Sequence, residues 1–162
     1  MNKLFVMCVM MLLATSNVSA DNKIALKDVT GKTFTPKYIT GVDPIKGTDR
    51  YASISNDGRQ IIEYAFKTGN QTRVLFDIAN THGESIKQLD GYMLSPDGKR
   101  MLIQTNTHKI YRRSFTADYY IYTIQSRKLE KLSTGGPQQI PTWSPDGNQI
   151  AFVRDNNIFL VK

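Results

Sequence analysis

From about residue 50 onward the apolar residues fall in short alternating or continuous runs rich in Tyr, Ile, Val and Phe. Gly, Asp, Asn and Pro punctuate them. A period of two places successive side chains on opposite faces of a strand, and the punctuating residues are those that tight turns favour. The pattern predicts strands near 50–55, 60–66, 72–77, 85–89, 91–95, 100–105, 118–124, 128–132, 140–143, 149–154 and 157–161. No amphipathic helix of useful length is readable after Ala20, so the fold class is all-β.

A repeated phrase overlies these runs. "SISNDGRQIIEYAF" (53–66), "MLSPDGKRMLIQT" (93–105) and "TWSPDGNQIAFVR" (142–154) each hold an apolar strand, Ser-x-Asp-Gly, a polar pair and a second apolar strand. A tight turn between twisted antiparallel strands needs positive φ, which Gly adopts freely and Asp tolerates. The Ser hydroxyl and Asp carboxylate can brace such a turn by bonding nearby backbone amides. The Asp-Gly pairs begin at 57, 97 and 146, spacings of 40 and 49. That period, at about four strands per unit, is that of β-propeller blades. A β-sandwich is the alternative for many short strands, but it leaves the repeated phrase unexplained.

The expected architecture is an incomplete β-propeller of about two and a half four-stranded blades, over residues 50–162, with blades near 50–89, 90–133 and 140–162. Propellers close with typically 4–8 blades, so the first and last blades here should each show an apolar face. The chain is therefore expected to be a piece of a larger protein. Residues 21–49, Gly- and Pro-punctuated, read as an amino-terminal arm.

The first twenty residues change the expected compartment. Lys3, the apolar run Leu4–Leu13 and the small residues Val18 and Ala20 have the form of a cleavable export signal, residues 1–20. A retained anchor is the alternative, although the run is shorter than the roughly 20 residues that span a bilayer. The expected location is periplasmic or secreted. Removing the segment takes away Cys8, the single cysteine, which excludes a disulfide framework in the remainder. Net charge is +7 for the whole chain. The cations are scattered over turns and strand ends rather than gathered on one helix, so no nucleic-acid partner is expected.

The nine-residue difference between the two spacings has one location. Between second and third strands the first unit has "KTGNQ" (67–71) and the third has "DN" (155–156), whereas the second has "NTHKIYRRSFTA" (106–117). Antiparallel connections alternate ends, so this insertion emerges opposite the Asp-Gly turns. Long connections on a rigid scaffold commonly carry binding groups, and a guanidinium offers five donors suited to carboxylates and carbonyls. Arg112 and Arg113 are the candidate binding residues. The alternative is a solvated basic turn anchored by Tyr111 and Phe115.

The stretch "GYMLSPDGKRMLIQTNTHKIYRRSFTADYYIYTIQSRKLEKLS" (91–133), and "KIYRRSFTADYYIY" (109–122) most specifically, resembles the second blade of the dipeptidyl peptidase IV family of serine exopeptidases. "WSPDGNQIAFVRDNNIFLV" is similar too, though this phrase is common to many propellers. The resemblance implies an eight-bladed propeller over an α/β-hydrolase domain, with substrate entering between them. It implies that Arg112 binds a substrate carbonyl oxygen, that a glutamate pair on a later blade holds the free amino terminus, and that Ser, Asp and His of the hydrolase domain cleave the peptide. The implied partners are a peptide with a free amino terminus, the further blades and the hydrolase domain; a homodimer stays open.

No catalytic residue is expected within these 162 residues. They hold no G-x-S-x-G elbow, and Ser55, Ser95 and Ser144 belong to the repeated turns. His82 and His108 lie in predicted connections with no Ser and acid set beside them in sequence. Two histidines and scattered acids make no zinc site, and the Asp-Gly turns lack the further acids of a calcium loop, so no metal or other cofactor is expected. Trp143 is expected to pack between blades. A non-catalytic peptide- or protein-binding module of the cell envelope is the alternative function.

Overall fold

The computed structural model describes residues 23–36 and 41–162. The expected export segment lies outside the described residues. Two compact units are present, divided between Tyr38 and Ile39. In the first, a single turn of helix, α1 (Leu26–Thr30), is closed by Asp28, whose carboxylate accepts from the Ala25 N–H at 3.0 Å. No described helix is long and apolar enough to cross a membrane.

The second unit holds three sheets in chain order, antiparallel throughout except for one short parallel pair at the edge of the second. The first runs β1 (Asp43–Pro44), β2 (Arg50–Ile54), β3 (Gln60–Ala65) and β4 (Gln71–Asp77), neighbour to neighbour. The second has the order β5-β9-β8-β7-β6, from β5 (His82–Gly83), β6 (Gly91–Leu94), β7 (Arg100–Lys109), β8 (Phe115–Thr123) and β9 (Lys128–Lys131). The third is β10 (Gln139–Trp143), β11 (Ile150–Arg154) and β12 (Asn157–Val161). All-β architecture and an incomplete propeller are both what the sequence predicts.

Two apolar layers separate the sheets, and the central strands feed both. On β7, Met101 and Ile103 join Ala52, Ile61 and Phe76 of the first sheet, while Leu102 faces Ile150 and Phe152 of the third. On β8, Tyr120 and Tyr122 serve the first layer, Ala117 and Tyr119 the second. A sheet covered on both faces must be apolar at consecutive positions, which is why "MLI" reads as a run rather than an alternation. Trp143 is buried in the second layer with the Arg100 guanidinium 5.1 Å from its ring, so it packs between blades as expected.

The three repeated turns are near-identical. Ser55, Ser95 and Ser144 donate to Asp57, Asp97 and Asp146 at 2.6, 2.5 and 2.5 Å. Each Ser oxygen accepts the N–H five residues on at 2.9 Å. Each Asp accepts the N–H two residues on at 3.1 Å. Gly58, Gly98 and Gly147 take φ of 67°, 68° and 75°, the left-handed region the turn demands. The Ser hydroxyl, then the backbone N–H, holds each of these carboxyls below the usual aspartate range.

Residues 85–89 are not a strand. Ile86 and Leu89 are three apart, so a strand would point one of them into solvent. Irregular backbone instead buries both in the first apolar layer. The Leu89 N–H donates to Gly58 O at 2.9 Å and the Asp90 N–H to Gln104 O at 2.9 Å. The short strand preceding this strap, β5, pairs parallel with β9 and so belongs to the second sheet. The first sheet reaches four strands through β1, which pairs with β2.

The end sheets show the expected apolar outer faces. Tyr51 stacks on Tyr64 at 5.2 Å and meets Phe66 at 4.9 Å on the first sheet, and Ile158 and Leu160 are exposed on the third.

Candidate functional site

The insertion of residues 106–117 is a β-hairpin rather than a loop. β7 and β8 continue past a bulge between Thr105 and His108 and pair again at His108↔Thr116 and Lys109↔Phe115. Asn106 forms the bulge at φ 52°, a region asparagine tolerates better than most residues. Its amide donates to Asp118 at 2.9 Å. The tip closes with the N–H groups of Ile110 and Tyr111 both donating to Ser114 O, at 2.9 and 3.1 Å.

Both sides of the hairpin root are tied down. On one, the Thr107 N–H donates to the Asp90 carboxylate at 2.8 Å and the Gln104 amide donates to Thr107 Oγ1 at 2.8 Å. On the other, Ala117 and Gln138 exchange backbone bonds at 3.0 and 2.8 Å. The buried Gln138 side chain accepts from the Tyr119 N–H at 3.1 Å and donates to Gly136 O. Gln138 thus joins the hairpin to the strand that opens the third sheet. Sequence reading misses it, because a glutamine outside any recognised run carries no signal of burial.

Arg112 and Arg113 sit at the exposed tip. Neither has a hydrogen-bond or ion-pair partner among the described residues. Four other arginines contrast with them, whereas Arg59 and Arg127 likewise make no side-chain hydrogen bond or ion pair among the described residues. Arg50 and Arg73 bond the Glu63 carboxylate at 2.9 and 3.0 Å, Arg100 lies over Trp143, and Arg154 lies 4.2 Å from the Phe159 ring centroid. Free guanidiniums on a braced hairpin keep all their donors available for something else.

The two diverge in what they face. Arg113, with Ser114 and Phe115, lines a cavity of about 380 Å³ between the hairpin and β10; Arg112 does not line it. The floor includes Leu102, Gln104 and Tyr119, and the far wall is Ile140 and Pro141. The Tyr119 hydroxyl donates to Gln104 Oε1 at 3.3 Å, and burial pushes its pKa up to about 12, so the phenol stays neutral at physiological pH. Volume and a mostly apolar lining with a few polar groups fall within the range of small-ligand pockets. His108 pairs in the hairpin and His82 in β5, and no group of three metal-ligating side chains occurs among the described residues.

The family model for the "Dipeptidyl peptidase IV (DPP IV) N-terminal region" matches residues 95–162. The crystal structure of dipeptidyl peptidase 4 from Porphyromonas gingivalis superposes with a TM-score of 0.74 at 32% identity, over 86% of this chain and 20% of that one. This chain is related to the amino-terminal propeller region of the dipeptidyl peptidase IV family. Among curated relatives, a probable dipeptidyl peptidase 4 of Aspergillus fumigatus is 33% identical over 74% of the chain and 16% of its own length. The prolyl endopeptidase FAP of Homo sapiens is 31% identical over 97% of the chain and 20% of its own length. The chain thus spans about a fifth or less of the relatives it matches.

Proposed function

We propose that residues 21–162 are the amino-terminal propeller segment of an exported dipeptidyl peptidase IV-like serine exopeptidase, acting in the periplasm or beyond it. In that enzyme the hairpin faces the peptide, Arg112 donates to a substrate carbonyl oxygen, and Arg113 lines the adjoining space. The serine chemistry comes from a hydrolase domain beyond these residues. The observation that carries the reading is the pair of unpartnered guanidiniums on a hairpin tied down at both sides of its root. A rigid mount matters because a donor held in place loses no rotational freedom when the peptide arrives.

The test is Arg112→Ala in the polypeptide that carries this segment, with kcat/KM measured on Gly-Pro-p-nitroanilide. Charge-assisted hydrogen bonds are worth about 1.5–3 kcal/mol, so kcat/KM should fall roughly 10- to 100-fold. Unchanged kcat/KM removes Arg112 from the peptide site. No dipeptide release by the unaltered polypeptide overturns the peptidase reading as a whole.

A further inference from the structure

The wall of the cavity opposite Arg113 contains a residue in a backbone conformation that its side chain disfavours. Ile140 has φ 49° and is 76% exposed. A β-branched residue is a genuine outlier there, because its branched Cβ crowds the backbone in the left-handed region. The cause is a bulge: β10 pairs with β11 at Gln139↔Val153 and again at Thr142↔Ala151, leaving Ile140 and Pro141 out of register. Pro141 has no N–H to lose from the ladder, so it is suited to that position. An exposed isoleucine gains nothing from burial in return for this strain. Its position opposite Phe115, over a mostly apolar floor, gives the strain a use.

The cavity is thus mostly apolar inside and cationic at the rim. Charge complementarity selects the occupant: an apolar side chain enters, and an anionic or strongly polarised group of the same molecule meets Arg113. We propose that this cavity is a subsite for a peptide carboxyl terminus, taking an apolar terminal side chain between Ile140 and Phe115 while Arg113 binds the terminal carboxylate. It rests on the reading that the hairpin faces a peptide-filled space. It adds a second recognition element, separate from Arg112, that reads the end of the peptide opposite its amino terminus. Arg113 and Ile140 are then specificity-determining residues.

Peptides blocked at the amino terminus test this independently of cleavage, since an exopeptidase that needs a free amine does not process them. Isothermal titration calorimetry of the full polypeptide carrying this segment uses N-acetyl-Gly-Leu, its carboxamide, and N-acetyl-Gly-Ser. The free acid of the leucine peptide should bind about tenfold more tightly than the amide, as expected for loss of one charge-assisted pair. It should also bind about tenfold more tightly than the serine peptide, as expected for burying one leucyl side chain. Arg113→Ala should erase the acid–amide difference and leave the leucine–serine difference. Ile140→Asn suits the left-handed backbone better than isoleucine does. It should keep the melting temperature while erasing the leucine–serine difference. Equal affinities for acid and amide, or a leucine preference that survives Ile140→Asn, overturn the proposal. Loss of Gly-Pro-p-nitroanilide turnover with these affinities intact overturns the peptidase reading alone.

Discussion

Glu63 is the most consequential buried charge among the described residues, and Glu63→Gln probes it with little change of volume. The residue is 3% exposed, on the same face of β3 as the fully buried Ile61. Its carboxylate accepts from Thr72 Oγ1 at 2.7 Å, Arg50 Nη1 at 2.9 Å and Arg73 Nε at 3.0 Å. Burial disfavours the charge, yet these three donors outweigh burial and hold the carboxyl below the usual glutamate range. An amide keeps one acceptor for Thr72 and turns its NH2 toward a guanidinium, so at least one arginine loses its partner. Bonds to a charged group contribute about 1.5–3 kcal/mol each, but both arginines are about half exposed and recover hydration. The expected net cost is about 2–3 kcal/mol. For a unit of roughly 120 residues this lowers Tm by about 8–12 °C. Thermal unfolding followed by circular dichroism at pH 7 measures it. The pH limb adds a check. A carboxyl with a depressed folded pKa contributes stability that is complete above its unfolded value, here 4.5, and lost as pH falls through the folded value. The difference between wild type and Glu63→Gln should therefore shrink below about pH 4.5. A cost below about 0.5 kcal/mol at pH 7, or a difference that stays constant down to pH 2, would refute the argument that donors outweigh burial here.

The other predictions concern the turns and the outer edge of the second sheet. Gly83 has φ 94°, and a Cβ there would lie 2.6 Å from Leu129 O, so Gly83→Ala should break the parallel β5–β9 pairing. The expected cost is about 2 kcal/mol or more, with lost amide-exchange protection at Glu84, whose N–H bonds Leu129 O at 3.0 Å. Ser95→Ala removes a buried hydroxyl that serves both Asp97 and the Arg100 N–H, and should cost about 1–2 kcal/mol by urea unfolding. The same change at half-buried Ser144 should cost less, and equal costs would show that burial does not set the value.

How much of this was legible in the sequence depended on whether the signal was local. The three Ser-x-Asp-Gly turns were readable because one residue pair sets the backbone and its own side chains complete the bonding. The apolar layers were readable because strands facing two neighbours must be apolar throughout. The segment 85–89 reads as a strand in the sequence, since two apolar residues flanked by polar ones resemble a half-buried strand, but the three-residue spacing of Ile86 and Leu89 does not fit one. The insertion's place was legible from unequal spacing, but its conformation was not. Continuation of β7 past Thr105 depends on the Asn106 bulge and on Asp90, distant in sequence. Gln138, Ile140 and the Glu63 network were invisible for the same reason: each gains its meaning from a partner on another strand.

That dependence also explains why the two arginines differ although they are adjacent. A residue at a hairpin tip can face either side of the hairpin, and the sequence "YRRS" does not say which. The root decides it. Asp90 and Gln138 hold β7 and β8 from opposite sides, and Gln138 carries the chain directly into β10. The bulge that strains Ile140 thus begins two residues from the group that fixes the hairpin. Arg113, Phe115 and Ile140 therefore form one wall-to-wall unit whose spacing is set by backbone bonds, while Arg112 is left outside the cavity. On the proposed reading, peptide recognition by this segment divides into two separable parts, a free donor at Arg112 and a shaped recess at Arg113. Substitutions at the two positions should alter different properties of binding rather than weaken one property twice.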